Sequence, residues 1–213
     1  MSKKYTNFMG IDPSFVGMGI STIDIKNKKL CFYEFKTDVK DGAFGQIAPI
    51  ANEYTDELIK KDIFTSNYLI GMEIPPIQGF YAVKLWVLDS MLYNKINTKQ
   101  NTVWLFNVPY LKYINKKYQG KNDTKEMMNK ILEIFKDYGY EISTNLKSKS
   151  GKDRKLTSNQ MDSFIYCIRM FIKYHMENGI HDDIVTEILE VNDRFLDTKE
   201  TEFGKDLNKK GKK

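Results

Sequence analysis

The sequence predicts an α/β protein on a five-stranded mixed sheet, three antiparallel strands followed by two parallel ones, with helices on both faces. Three observations predict it. Short apolar runs with strand character fill the first 37 residues, separated only by polar turns. Beyond them the hydrophobic period becomes helical, and helical and strand-like segments alternate as in crossover connections. Finally, two strands rhyme: Phe8-Met9-Gly10-Ile11-Asp12-Pro13 and Leu69-Ile70-Gly71-Met72-Glu73-Ile74-Pro75 each run apolar, Gly, apolar, carboxylate, with proline close behind.

Residues 6–12, 17–24 and 30–37 read as an antiparallel meander, its second and third strands joined by the polar turn Ile25-Lys26-Asn27-Lys28-Lys29. Over 46–61, Ile47, Ile50, Ala51, Tyr54 and Leu58 share a helical face. The second acid-tipped strand, 67–73, leads into a helix at 81–96 carrying Val83, Leu85, Trp86, Leu88 and Leu92. Residues 102–108 make the fifth strand, and Pro109 is suited to open a short helix. A basic loop, Lys116-Lys117-Tyr118-Gln119-Gly120-Lys121, precedes a helix capped by Asp123 or Thr124 and running to 138, with Met127, Met128, Ile131, Leu132 and Phe135 inward. The polar segment 144–157 reads as a mobile basic loop. Thr157-Ser158-Asn159-Gln160 has capping-box spacing, so a helix starts there and runs to 177 with Met161, Phe164, Ile165, Ile168, Phe171 and Ile172 as its apolar stripe. A short helix at 182–191 precedes a lysine-rich tail expected to be disordered. The domain reading is one unit over 1–180, with the last helix and tail over 181–213.

The 213 residues, 41% hydrophobic and 29% charged, suit a soluble globular domain with a real core. No apolar run is long enough to span a bilayer, and Met-Ser-Lys-Lys-Tyr-Thr-Asn contains no signal-like segment; a cytoplasmic protein is expected. Cys31 and Cys167 lack CxxC spacing and read as buried thiols in a reducing compartment. With only His175 and His181, and no CxxC spacing, the sequence does not point to a His/Cys zinc site. The net charge of +5 is carried almost wholly by lysine, the only arginines being Arg154, Arg169 and Arg194; it permits a nucleic-acid partner without proving one.

Strand side chains alternate, so Gly10 shares a face with Asp12, and Gly71 with Glu73. If the two strands are parallel neighbours, both acids emerge at the carboxyl edge of the sheet, where open α/β sheets bind ligands. Each glycine then leaves room beside its acid, where metal and phosphate must fit. Asp162, in the first turns of an amphipathic helix and beside its apolar stripe, is the best third acid. Taken singly each has a plain reading: Asp12-Pro13-Ser14 as a turn, Asp162 as charge matching at a helix start. Glu73 has less excuse, because Glu suits neither strand nor turn. Three converging carboxylates repel one another unless cations neutralise them, and an all-oxygen set suits Mg²⁺ or Mn²⁺. Two such ions about 4 Å apart would clamp the oxygens of a phosphodiester displacement.

These motifs resemble a known family. Gly10-Ile11-Asp12-Pro13-Ser14 followed by Gly17-Met18-Gly19 resembles the opening strand and glycine turn of RuvC-type Holliday-junction resolvases of the RNase H-like superfamily. Gly71-Met72-Glu73 resembles their second acid, and Ser158-Asn159-Gln160-Met161-Asp162-Ser163 their final acidic helix. The resemblance covers 5–175, and the size and lysine-rich composition look like those of a divergent bacteriophage member. It implies Asp12, Glu73 and Asp162 as catalytic metal ligands. The family's fourth metal residue, Asp or His, falls on Asn159, whose amide oxygen can ligate but brings no charge; Ser158 could hold a water there and Asp153 could swing in. It further implies two Mg²⁺ or Mn²⁺ ions per site, a C2 homodimer matching a four-way junction, and paired nicks. Phe80 or Tyr81 would stack on an unpaired base, or else pack under the following helix. Lys84, Lys116, Lys117, Lys121 and Lys125 would contact phosphates of branched DNA, four-way junctions or forks, or else be merely solvated.

Two alternatives stand beside that reading: a nuclease of the same fold acting on another nucleic acid, such as an RNA–DNA hybrid, and a branched-DNA-binding protein with weak catalysis through the change to Asn159. A sugar-kinase or chaperone-type ATPase needs a second nucleotide-binding domain that 213 residues cannot supply.

Overall fold

The computed structural model describes residues 5–37, 44–60, 67–73, 80–98, 101–106, 113–114, 117–118, 121–147, 151 and 155–196. Strands β1 (Asn7–Asp12), β2 (Gly17–Asp24) and β3 (Lys29–Lys36) form the antiparallel meander. Helix α1 (Phe44–Lys60), strand β4 (Tyr68–Glu73), helix α2 (Phe80–Ile96) and strand β5 (Thr102–Phe106) follow as crossover units. Parallel pairing of β4 with both β1 and β5 confirms the predicted change of strand direction. A small ribbon, β6 (Tyr113–Ile114) with β7 (Lys117–Tyr118), occupies part of the predicted basic loop. Then come α3 (Lys121–Asp137), β8 (Glu141–Thr144), α4 (Ser158–Glu177), α5 (Asp183–Val191) and a 3-10 turn (Asp193–Leu196). The short helix expected at Pro109 and the lysine-rich tail lie outside the described residues.

The main sheet has six strands, in the order β5-β4-β1-β2-β3-β8, not five. The sixth is β8, which adds parallel to β3, with Leu30 opposite Ile142 and Phe32 opposite Thr144. Four residues with one strongly apolar member are too short to show a period, so the sequence pattern merges β8 into the polar loop after it. The strand is held by its neighbour: Glu141 N–H donates to the Lys28 carbonyl at 2.8 Å and Asn145 N–H to that of Phe32 at 3.0 Å.

The sheet is the middle of three layers. On one face Met9, Ile11, Met18, Ile20, Ile70 and Met72 pack with Ile47, Tyr54 and Leu58 of α1 and Leu88 and Leu92 of α2. On the other, Phe8, Ile23, Leu30, Phe32 and Leu69 meet α3 and the almost wholly buried α4, with Ile184, Val185, Ile188 and Phe195 completing that core. Every residue of β1 is buried because it lies between two strands and under helices on both sides. Cys31 and Cys167 are free thiols.

The start of α4 is fixed from three sides. Thr157 Oγ1 accepts from the Gln160 N–H, and Gln160 Oε1 accepts in return from the Thr157 N–H, the predicted capping box. Gln160 Nε2 also donates to Thr144 Oγ1 at 3.1 Å, tying the helix start to the end of β8. Such caps hold a helix terminus by about 1 kcal/mol. Here the cap sets where the side chains of the first turns stand.

Candidate active site

The site is assembled by register. Gly10 lies beside Gly71 and Ile11 beside Met72 in the parallel pair β1–β4, so Asp12 and Glu73 end neighbouring strands on the same face and at the same edge. The turn after Asp12 is braced. Ser14 Oγ donates to the Gly17 carbonyl at 2.6 Å and accepts from the Gly17 N–H at 3.2 Å, while Tyr54 Oη donates to the Ser14 carbonyl at 2.7 Å. Asp12 is 8% exposed, deep enough that its carboxylate needs compensating positive charge or donors. Glu73, Asp162 and Asn159 are half-buried.

Helix α4 closes the site from above, and its Tyr166 reaches the second acid. One turn beyond Asp162, its buried hydroxyl donates to Glu73 Oε2 at 3.2 Å. Burial pushes this phenol well above its ordinary range, and the charges of Glu73, Asp12 and Asp162, in that order, raise it further. Of the three predicted carboxylates, Glu73 touches this hydroxyl, and Asp12 and Asp162 act on it through their charges. The three do not close on one another: among the described residues, no three His, Cys, Asp or Glu side chains are gathered tightly enough to hold an ion. The donor set is nevertheless all carboxylate and amide oxygen, which fits Mg²⁺ or Mn²⁺ and no softer metal.

One expectation is overturned. The glycines beside the acids do not leave room for metal or phosphate; the backbone of α4 fills that space. A Cβ on Gly10 would stand 1.8 Å from the Ser163 carbonyl oxygen and 2.6 Å from the Cys167 nitrogen. On Gly71 it would be 2.8 Å from the Tyr166 carbonyl oxygen, and on Gly19, 2.1 Å from that of Asn159. Three glycines on adjacent strands thus form a groove that lets a helix lie directly on the sheet.

Sequence reasoning missed two residues. Tyr166 was hidden because an aromatic within a buried helix reads as packing; its place four residues after Asp162 was the available signal. Asp89 of α2 is 4% exposed, and neither carboxylate oxygen has a hydrogen-bond partner among the described residues. Burial pushes its pKa well up and the Glu73 charge adds to the shift. Its spacing from Leu85, Leu88 and Leu92 placed it on the inward stripe, but charged residues at stripe edges are usually solvated.

Of the proposed DNA contacts, Lys84 is half-buried on α2 and Lys125 exposed on α3. Phe80 and Tyr81 open α2, Lys117 lies in the ribbon and Lys121 starts α3, with side chains outside the described residues, as is all of Lys116. Asp153 is likewise outside them, and Ser158 is exposed at the first turn of α4.

The mixed sheet thus carries acids at the ends of two central parallel strands and a third on the helix laid across them. Among solved structures the chain is similar to RuvC of Thermus thermophilus in complex with Holliday junction substrate, at 12% identity and TM-score 0.48, covering 83% of this chain and 98% of that one. It is also similar to Thermus thermophilus RuvC at 15% identity and TM-score 0.48 (82% and 97% covered), and to Fowlpox virus resolvase with Holliday junction DNA at 12% identity and TM-score 0.43 (82% and 99%). No family model and no curated protein matches the sequence. Among the described residues no helix is long and apolar enough to cross a membrane.

Proposed function

We propose that this protein is a divalent-metal-dependent endonuclease that resolves Holliday junctions and related branched DNA by paired nicks. The observation that carries the reading is the parallel register that sets Asp12 and Glu73 side by side, beneath the helix bearing Asp162. Asp12, Glu73 and Asp162 would hold Mg²⁺ or Mn²⁺, with Asn159 as a neutral fourth ligand. The ions, once bound, would activate water and neutralise charge at the scissile phosphate. Tyr166 holds Glu73 by its carboxylate. Phe80 and Tyr81 at the start of α2, and Lys84, Lys116, Lys117, Lys121 and Lys125, are the proposed contacts to an unpaired base and to phosphates. A homodimer acting in the cytoplasm, of bacteriophage origin, completes the reading. Free Cys31 and Cys167 suit a reducing compartment.

The test is cleavage of a synthetic four-way junction against forks, flaps, linear duplex and RNA–DNA hybrid, with and without Mg²⁺. Paired, Mg²⁺-dependent nicks in the junction are expected, and Asp12→Asn or Glu73→Gln should slow them at least about 100-fold. Cleavage of hybrid alone would favour a different substrate. Junction binding without cleavage would favour a binding protein. Undiminished cleavage by both variants would remove the site.

A further inference from the structure

Asp12 pairs with Gly19 across β1–β2, and Gly19 with Glu34 across β2–β3. Directly paired residues share a sheet face, so Asp12, Gly19 and Glu34 form one row on the face that α4 covers. Gly19 has no side chain, and the backbone of Asn159 rests on it. The Asn159 amide then lies toward Glu34, its Nδ2 donating to Glu34 Oε1 over a long 3.4 Å. That nitrogen sits above a second glycine: a Cβ on Gly17 would be 3.5 Å from Asn159 Nδ2 and 3.9 Å from Glu34 Oε1.

A carboxylate only accepts hydrogen bonds, so it fixes which way the amide is turned: Nδ2 to Glu34, and Oδ1 away from it. Among the described residues Asn159 Oδ1 has no hydrogen-bond partner, and Asn159 shares a helix face with Asp162 three residues on. Glu34 is held at both backbone groups. Its N–H donates to Asn145 Oδ1 and its carbonyl accepts from Asn145 Nδ2, each at 3.0 Å. Its other carboxylate oxygen, Oε2, is buried with no donor among the described residues.

We propose that Glu34 is a positioning residue of the metal site: it turns Asn159 so that the amide oxygen is offered as a ligand, and supplies the negative charge that Asn159 lacks. The inference rests on the proposed divalent-ion site. It explains why an amide stands at position 159. An aspartate there would set a second carboxylate against Glu34, and the two would repel. In this chain the fourth charge stands two strands over from Asp12, on β3, and reaches the site through the amide.

The experiment is titration of the full chain with MnCl₂ by calorimetry, with thermal midpoints recorded for each variant. Glu34→Gln should weaken Mn²⁺ binding about 10- to 100-fold, the usual effect of losing a residue that orients a metal ligand. In an Asn159→Ala background the same change should do almost nothing further. The charge exchange Glu34→Gln with Asn159→Asp should restore most of the affinity, whereas Asn159→Asp alone should not improve on the parent protein. Asp12→Asn separates the two levels of the argument. If it loses Mn²⁺ while Glu34→Gln binds normally, Glu34 has no such role and the ion site stands. If Asp12→Asn binds as the parent does, the ion site itself is wrong and this inference falls with it. A Glu34→Gln effect that persists in full with Asn159→Ala overturns the positioning role. Should Glu34→Gln lower the thermal midpoint, Asn159→Asp alone decides: tighter Mn²⁺ binding overturns the proposal, and equal or weaker binding supports it.

Discussion

Strands β1 and β4 present opposite chemistry on their two faces. Toward α1 and α2 they offer Met9, Ile11, Ile70 and Met72, ordinary large apolar side chains that hold the helices at side-chain distance. Toward α4 they offer Phe8 and Leu69 at one end and then Gly10, Asp12, Gly71 and Glu73, so at the glycines the helix backbone lies directly on the sheet and acids emerge where the glycines end. The acids differ in the same way. Glu73 has the Tyr166 hydroxyl and partial exposure, whereas Asp89 of α2 is buried without a hydrogen-bond partner among the described residues. One face is built for close approach and charge; the other is built for bulk and carries the buried Asp89 carboxylate at a cost.

The sharpest way to break this comparison is to change one methyl group on each face, adding it on one and removing it on the other. Gly10→Ala places a carbon 1.8 Å from a backbone oxygen, which no rotamer change relieves, so α4 must lift. The expected loss is about 3 kcal/mol or more, at or beyond the top of the usual overpacking range, read as a lower urea midpoint. Removing a methyl from the other face, Ile11→Val, should cost only about 1 kcal/mol. Equal effects would mean that the two faces are packed alike.

Asp89 gives the next largest effect, with opposite sign. Replacing it with Leu removes an unpartnered buried polar group, and a gain of about 1–3 kcal/mol is expected near neutral pH. The pH dependence follows from the raised pKa. Unfolded, Asp89 loses its proton in the ordinary carboxylate range; folded, burial and Glu73 hold the proton to higher pH. Between those two points the folded state carries more protons than the unfolded state, so stability falls as pH rises through that window. Asp89→Asn keeps the shape and cannot titrate. Its denaturation midpoint should lack this decline, and an unchanged decline would place the titrating group elsewhere.

The same contrast governs what was legible in the sequence. Elements with a regular apolar period, such as α1 with its face of Ile47, Ile50, Tyr54 and Leu58, carry that period openly. The acid-tipped strands were legible because a carboxylate in an apolar run has few structural excuses. Close approach was not: glycine says only that a side chain is missing, and here a helix, not an ion, takes the space. Strand β8 was illegible because its four residues owe their structure to β3 and to the anchor of Gln160 on Thr144. Glu34 was passed over because, along β3, it is one polar residue in an alternating strand. Only cross-strand register, which depends on partners distant in sequence, puts it in the row of Asp12.

Tyr166 yields the smallest stability change and so isolates function from fold. Tyr166→Phe keeps the ring that fills the core and removes only the hydroxyl that donates to Glu73. The hydroxyl loses one bond but no longer has to be buried, and Glu73 is exposed enough to turn to water, so the expected cost is about 0.5–1.5 kcal/mol. The carboxylate, however, loses the group that orients it. Releasing a residue that positions a metal ligand typically costs about 10-fold or more in affinity or rate, so Mn²⁺ binding and junction nicking should both fall by that factor at an almost unchanged thermal midpoint. Asp89→Leu should show the reverse, a higher midpoint with nicking intact. If Tyr166→Phe instead lowers the thermal midpoint strongly and leaves ion binding untouched, the hydroxyl is a core bond and does not position Glu73. If both variants move stability and nicking together, the two faces of the sheet are energetically one site.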